Sequence, residues 1–429
     1  MTKSSSTRAL PEGWRSFLTM LALIMAGEAV FFLPFVVPRV FRPTMLDVFG
    51  INNLELGSSF SAYGVVAMVS YFFGGPLADR FSPKVLLPVA LIATSLGGLL
   101  LATLPSLTVL TGLYAYWGLT SILLFWAALM RATREWGGPR SQGKAFGWLE
   151  GGRGLMAAGV GSVGVWLFAS LLPEDVESAT LPQRQAAFRE VVLMVSSVVA
   201  AVGVLTYLAL PRSTEKLDRK AGVFSLVGVK EVIKLPTVWL QALIIVCAYV
   251  GYKGIDDFSL YAKEVLGGDE VESAQLGTLA LWVRPLAALT AGLLADRLST
   301  SGMTLISFVL ITLGSLLLAS GLIEPGFYAT FVGSVVTGSL GVYAMRGLYY
   351  AIMQEGKVPL AFTGSAVGLV SVLGYTPDIF MGPLMGVLLD NNPGPSGHQY
   401  VFMVVSGFAL MGLLATVAFR RLVRKGEET

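Results

Sequence analysis

A single cysteine, Cys247, and a single histidine, His398, occur in 429 residues. One cysteine cannot close an internal disulfide, and one histidine leaves no His-based metal cluster or Ser/His triad to assemble. Charge is scarce as well. Asp, Glu, Lys and Arg make up 13% of the chain, against about 25% in an ordinary soluble domain. The net charge is only +3, and the basic residues fall in short clusters between apolar runs, which offers nucleic acid little to bind. There is no Gly-x-x-x-x-Gly-Lys-Ser/Thr loop and no polar stretch long enough to hold a nucleotide-binding domain, which argues against an ATP-driven pump. What fills the chain instead is apolar, at 54%, with 49 glycines spread through it. That composition belongs to a polytopic membrane protein, with the lipid bilayer as partner and no enzyme, cofactor or metal expected.

A bilayer core takes roughly 20 apolar residues per helix. Twelve segments meet that length: 14–37, 56–78, 85–104, 107–130, 145–171, 188–210, 237–261, 274–295, 303–322, 327–351, 359–389 and 400–419. The expected fold is therefore all-α, with twelve transmembrane helices. The first run continues through Phe31, Phe32 and Phe35, beyond a signal-peptide core, and reads as an uncleaved first span. With the N-terminus inside, 21 of the 30 Lys and Arg residues fall in inner segments. Both termini are thus expected to be cytoplasmic, in a plasma membrane (the inner membrane, in a bacterium). Arg39, Arg42, Arg184, Arg189 and Lys263 fall in outer segments.

The longest basic linker, 211–236, separates six spans in 1–210 from six in 237–429. The halves share a pattern. Gly75-Pro-Leu-Ala-Asp79-Arg80 recurs as Gly292-Leu-Leu-Ala-Asp296-Arg297, at an offset of 217 residues that also carries Gly147 and Gly151 onto Gly364 and Gly368. Parallel duplication of six helices is an architecture used by secondary transporters, with the solute held near the midplane between the halves. The stretch from Gly75 to Lys84 resembles the loop motif of the major facilitator superfamily, Gly-x-x-x-Asp-Arg/Lys-x-Gly, with Ser82 in place of the second glycine. The resemblance implies alternating access by rocking of two pseudo-symmetric six-helix bundles. It also implies gating roles for Gly75, Asp79, Arg80, Gly292, Asp296 and Arg297, the charges acting as latches on the cytoplasmic side. A bland role for the arginines, as positive charges that fix topology, stands beside it.

An ionisable group inside a span is costly unless it faces a cavity or a partner. At 1.5 Å of rise per residue, Glu28 lies about 16 Å deep, Arg284 about 15 Å and Arg153 about 12 Å, with Glu150 on Arg153's face. Lys253, Asp256 and Asp257 lie in the outer part of span seven, Asp378 in that of span eleven, and Arg346 toward the inner end of span ten. Since Glu150 can pair with Arg153, Arg284 is left with Glu28 or an anionic ligand, and arginine suits bidentate capture of a carboxylate or phosphate. Arg284-Pro285 also resembles the Arg-Pro placement of the superfamily's monocarboxylate and oxalate/formate branches, where this arginine engages the substrate carboxylate.

Candidate substrate contacts are therefore Arg284, Arg153, Glu28, Lys253, Tyr249 and Tyr252. Candidate proton-coupling groups are Glu28, Glu150, Asp256 and Asp257, with protons as a candidate coupling ion. The family resemblance puts spans one, four, seven and ten around the cavity, where Phe31, Phe32, Trp117, Trp126, Tyr249, Tyr252, Tyr343 and Tyr349 lie, with Trp282 on span eight. Pro34 and Pro38, Thr376-Pro377 and Gly382-Pro383 are candidate hinges. The expectation is a secondary transporter of a small organic anion, working as a monomer. Alternatives are an exporter of amphipathic compounds or a neutral-sugar transporter in the same fold.

Overall fold

The computed structural model describes residues 12–138, 142–211, 230, 232–349, 351–356 and 363–428. Most of the linker 211–236 lies outside them. Twelve helical spans run through the molecule, and no strand occurs among the described residues. The N-terminal six are α1 (Glu12–Ala29, continued by Phe32–Val36 and Val37–Val40), α2 (Asn53–Arg80), α3 (Pro83–Leu101), α4 (Leu107–Gly137), α5 (Gln142–Leu171) and α6 (Leu181–Ala209). The C-terminal six are α7 (Pro236–Glu264), α8 (Glu270–Leu298), α9 (Thr300–Ala319), α10 (Tyr328–Leu348), α11 (Thr363–Gly374 and Pro377–Asn391) and α12 (Pro395–Glu428). Among the described residues ten helices are long and apolar enough to cross a membrane and the bent α1 makes an eleventh; α8 is a further helix of 29 residues. The start of α1 at Glu12 and the end of α12 at Glu428 lie at one end of the bundle, here the terminal end; the opposite one is the far end.

Three spans start at the far end with reciprocal side-chain caps. Asn52 and Glu55 box the start of α2, Thr180 and Gln183 that of α6, and Asp269 and Glu272 that of α8. Each satisfies backbone donors that a helix end leaves open. Among the described residues, four spans are broken. Pro34 has no N–H, and around it α1 widens into a π turn in which Val36 N–H donates to Phe31 O at 3.2 Å; the two parts of the span meet at 41°. A second π segment, Leu119–Trp126, lies inside α4. In α7 a 3-10 turn, Ile255–Asp257, follows Gly254. In α11 Pro377 opens the outer piece after the break at Tyr375 and Thr376. Gly382-Pro383, a candidate hinge in sequence, sits within continuous helix.

The buried apolar residues form two main clusters. One runs from Met20 to Leu210, joined by Val271, Ala274 and Leu281 of α8; the other runs from Val232 to Phe419. The bundles meet along α2 with α11 and α5 with α8, two seams that the 217-residue repeat turns into copies of each other. Glycine makes both possible. A Cβ on Gly57 would lie 2.2 Å from Gly382 O, one on Gly64 2.7 Å from Asp378 O, and one on Gly154 3.0 Å from the Pro285 ring. Close backbone approach of this kind replaces the hydrophobic drive that lipid does not supply.

Among the described residues, polar contacts between the bundles lie at the midplane or the far end. At the far end Asp390 of α11 accepts from Asn53 N–H at 3.1 Å and Leu54 N–H at 2.8 Å, so a carboxylate of one bundle caps a helix of the other. Ser259 Oγ donates to Arg39 O at 2.8 Å. Arg39 and Arg42, in the far-end stretch between the first two spans, are buried, at 3% and 2% exposure. Arg42 hydrogen-bonds Asn53 Oδ1 at 2.9 Å.

Candidate functional site

Breaks in α1, α4, α7 and α11 turn side chains toward one space between the bundles. Glu28 precedes the π turn of α1, Trp126 ends that of α4, Tyr249 and Tyr252 approach the turn in α7, and Tyr375 and Asp378 flank the break in α11. Arg153, Arg284 and Arg346 complete the polar wall. Phe31, Phe35, Tyr63 and Tyr71 supply aromatic surface. The Tyr71 and Tyr375 rings stack across the bundle boundary at 5.7 Å. The space open to the centre of a water-sized sphere is about 60 Å³, room for a few water molecules at roughly 10–15 Å³ each.

One charge network lines this cavity, and a second reaches it through Asp378. In the first, Glu28 Oε2 lies 3.0 Å from Arg153 Nε and Oε1 lies 2.7 Å from Arg284 Nη1. Glu150 Oε1 meets Arg153 Nη1 at 2.6 Å, and its Oε2 lies 3.6 Å from Arg284 Nη2. Two carboxylates and two guanidinium groups thus balance, and the pairing joins the bundles through Arg284. That last nitrogen is buried without a hydrogen bond. In the second network Asp256 bridges Arg39 Nε at 2.6 Å and Lys253 Nζ at 3.0 Å. Asp378 lies 3.7 Å from Lys253 Nζ and accepts from the Tyr249 hydroxyl at 3.0 Å. Two cations and two carboxylates balance again. Arg39 and Asp256 are 217 residues apart, the repeat offset itself, so equivalent positions of the two bundles hold each other.

Arg346 stands outside both networks. Its guanidinium lies 4.2 Å from the Tyr252 ring centre, and among the described residues no carboxylate comes within 4.0 Å of it. Among the described residues, five cations against four carboxylates leave one positive charge uncompensated in a half-buried position.

The residues singled out in sequence divide accordingly. Glu28, Arg153, Arg284, Tyr249 and Tyr252 line the cavity, and Glu150 braces two of them. Lys253 is sealed at 1% exposure, with Nζ 5.0 Å from the Phe35 ring centre, and does not reach the cavity. Asp257 points away, toward His398. Trp117 is packed within the first bundle, and Trp282 is an exposed side chain whose indole donates to Ser162. At the terminal end, Asp79 and Arg80 are exposed, and Gly75 faces open space while the neighbouring Gly74 takes the close approach, 3.2 Å from Ile122 O. The side chains of Gly292, Asp296 and Arg297 lie outside the described residues. Arg346 escaped sequence reasoning as a cavity residue because helix depth counts position along one span and not the pairing of its neighbours.

With this geometry, comparison with known proteins is decisive for the family. The model of the Major Facilitator Superfamily matches residues 16–377. The chain belongs to that superfamily. It is thus a multi-pass membrane protein of a transporter family and not an enzyme. It is 26% identical to the inner membrane protein YqcE of Escherichia coli, over 95% of this chain and 94% of that one. Against the inner membrane protein YihN of the same organism it is 24% identical, covering 95% and 96%. A partial match, 24% identical over 39% of the chain and 40% of its partner, is to the nitrate/nitrite transporter NarU of E. coli. Among solved structures, a point mutant of the nucleoside transporter NupG superposes with a TM-score of 0.70 at 13% identity, covering 94% of this chain and 99% of NupG. A bacterial homologue of the lysosomal transporter Spinster, inward-facing and occupied, gives 0.68 at 14% identity, covering 96% and 98%. These likenesses establish the fold.

Proposed function

We propose that this protein is a secondary transporter of a small organic anion, with Arg346 as its principal anion contact and the terminal end facing the cytoplasm. The observation that carries the reading is the uncompensated guanidinium of Arg346 in a cavity whose other charges are paired. A lone cation in a low-dielectric space is costly, and an anionic solute removes that cost by supplying the missing charge. The buried, unbonded Nη2 of Arg284 lines the same cavity and supplies a second donor. Arginine offers the planar, bidentate geometry that a carboxylate or phosphate monoester fits. The likeness of part of the chain to NarU, named for two small inorganic anions, supports a solute of negative charge.

Arg284 then has a different part from the one its Arg-Pro context implied. Its bond to Glu28 ties the bundles, and anion binding at Arg346 and Arg284 Nη2 competes with the long contact to Glu150. Drawing Arg284 toward the solute loosens the midplane tie and lets the two bundles, 1–210 and 237–429, rock against each other. The aromatic walls suit a solute with an apolar or planar body behind its anionic group. The small free space favours a solute of few heavy atoms or a wider cavity in the open states.

The test is a thermal-shift screen of purified protein against monocarboxylates, sugar acids, phosphate monoesters and neutral sugars, since a bound ligand raises apparent stability by mass action. A saturable rise with one class of anion supports the reading. Stabilisation by neutral sugars alone contradicts it.

A further inference from the structure

At the far end of the C-terminal bundle, one buried cluster takes no part in the central networks. His398, in the first turn of α12, has Nδ1 2.7 Å from Asp257 Oδ2 and Nε2 3.1 Å from Glu264 Oε2. Asp257 belongs to the 3-10 turn that breaks α7, and Glu264 ends that span. Both His398 and Asp257 are fully buried, and Asp257 Oδ1 has no hydrogen bond.

An ionised carboxylate only accepts hydrogen bonds, and a neutral imidazole carries a single N–H. Both contacts therefore form only when the cluster holds one proton more than a neutral ring between two ionised carboxylates. Nothing nearby substitutes for that proton. Among the described residues no lysine or arginine side-chain nitrogen lies within 4.0 Å of the carboxylate oxygens of Asp257 or Glu264. The other groups around the ring are engaged elsewhere. Tyr261, whose ring lies 5.1 Å from the imidazole, donates its hydroxyl to Leu318 O. Lys263 pairs with Glu270, Asp256 with Arg39 and Lys253, and Asp390 with the start of α2.

Two further features give the cluster an access route and an effector. Glu264 is 36% exposed and lines a broad depression on the far surface together with Asp47, Glu55 and Lys263, so water there reaches the carboxylate that touches His398. On the other side, Asp257 is followed back along the same one-turn segment by Asp256, which holds Arg39 of the N-terminal bundle.

We propose that His398, Asp257 and Glu264 form a proton-binding site open to the far side, whose proton holds the Ile255–Asp257 turn where Asp256 closes on Arg39. Loss of the proton leaves a ring-nitrogen lone pair facing a carboxylate. The turn and α12 then separate, Asp256 leaves Arg39, and the far end opens. The device is independent of which solute occupies the central cavity.

The experiment reads far-end opening directly. Val40, fully buried where α1 meets Gly277 of α8, is replaced by cysteine in a Cys247→Ala background. Full-length protein in nanodiscs is treated with a bulky hydrophilic maleimide between about pH 5.5 and 10, a range that brackets the titration of a histidine flanked by two carboxylates. Each rate is divided by that of denatured protein at the same pH. The proposal expects a rise of about tenfold or more with pH, absent in His398→Gln, and a midpoint lowered by about one pH unit in Glu264→Gln, which keeps the buried pair. A flat profile in the parent, or the same rise at the same midpoint in His398→Gln, overturns it. If His398→Gln does not fold, Glu264→Gln decides, and an unchanged midpoint overturns the proposal. Because no solute is used, failure here leaves the anion reading standing, and failure of the anion screen leaves this site standing.

Discussion

Arg346 and Glu28 occupy opposite ends of the charge balance in the cavity, and their replacement should have opposite effects. Arg346→Gln removes the uncompensated charge. Without ligand this variant is expected to melt at or above the parent temperature, as replacements at functional sites often do, while its affinity for the anion falls by about tenfold or more. Arg346→Lys, which keeps the charge and loses the planar fork, should fall between them. Thermal-shift titration of the three proteins reads both effects, and a large loss of unliganded stability in Arg346→Gln would make the residue structural. Glu28→Ala instead leaves Arg153 and Arg284 facing each other's charge. Breaking such a buried pair typically costs about 3–5 kcal/mol, so the variant should show a clear fall in melting temperature, checked by the same assay without ligand. Much of this site was legible in sequence. Glu28, Glu150, Arg153 and Arg284 stood out because charges are rare in apolar spans, and i, i+3 spacing tied two of them. What a single span cannot reveal is who pairs with whom across the molecule. Among the described residues Arg346 lacks the carboxylate neighbour that Arg284 has, and His398 meets partners 134 and 141 residues away.

The irregular segments place the site. Proline accounts for the breaks in α1 and α11, and these were readable as hinges from Pro34 and Thr376-Pro377. The π segment of α4 and the 3-10 turn of α7 carry no proline, and their cause is tertiary. Gly74 of α2 lies against Ile122 O and Leu123 O in the π segment of α4, and Asp256 and Asp257 of the 3-10 turn are held by Arg39 and His398. Glycine spacing was read for α5 and α11, but the tight contacts of the α2 seam fall at Gly57 and Gly64, which no motif marked. Gly57→Val tests that seam. Its Cβ would meet Gly382 backbone at 2.2 Å, which neither helix can yield without parting. The expected result is a far end that no longer seals, seen as rapid maleimide labelling of a Val40→Cys reporter. Labelling as slow as in the parent reporter protein would show that the seam is not what holds the far end shut.

Two bundles related by a 217-residue repeat are joined at the midplane by Arg284 with Glu28 and at the far end by Arg39 with Asp256, and these contacts close the far end. The duplication was visible in the paired Gly-x-x-x-Asp-Arg loops; which end is closed was not, because that depends on a balance of small contacts. Asp390 is one of them. Asp390→Asn weakens a charged cap on α2 worth about 1 kcal/mol, so the far-end-open population should rise about fivefold, again read by labelling at position 40. Above all these stands the claim that the molecule moves an organic anion on Arg346. The direct measurement is counterflow of the labelled anion found by the stability screen into proteoliposomes preloaded with the unlabelled anion. The account predicts saturable counterflow by the parent protein and none by Arg346→Gln, with Arg346→Lys retaining a fraction. Equal counterflow by the parent and Arg346→Gln would contradict it.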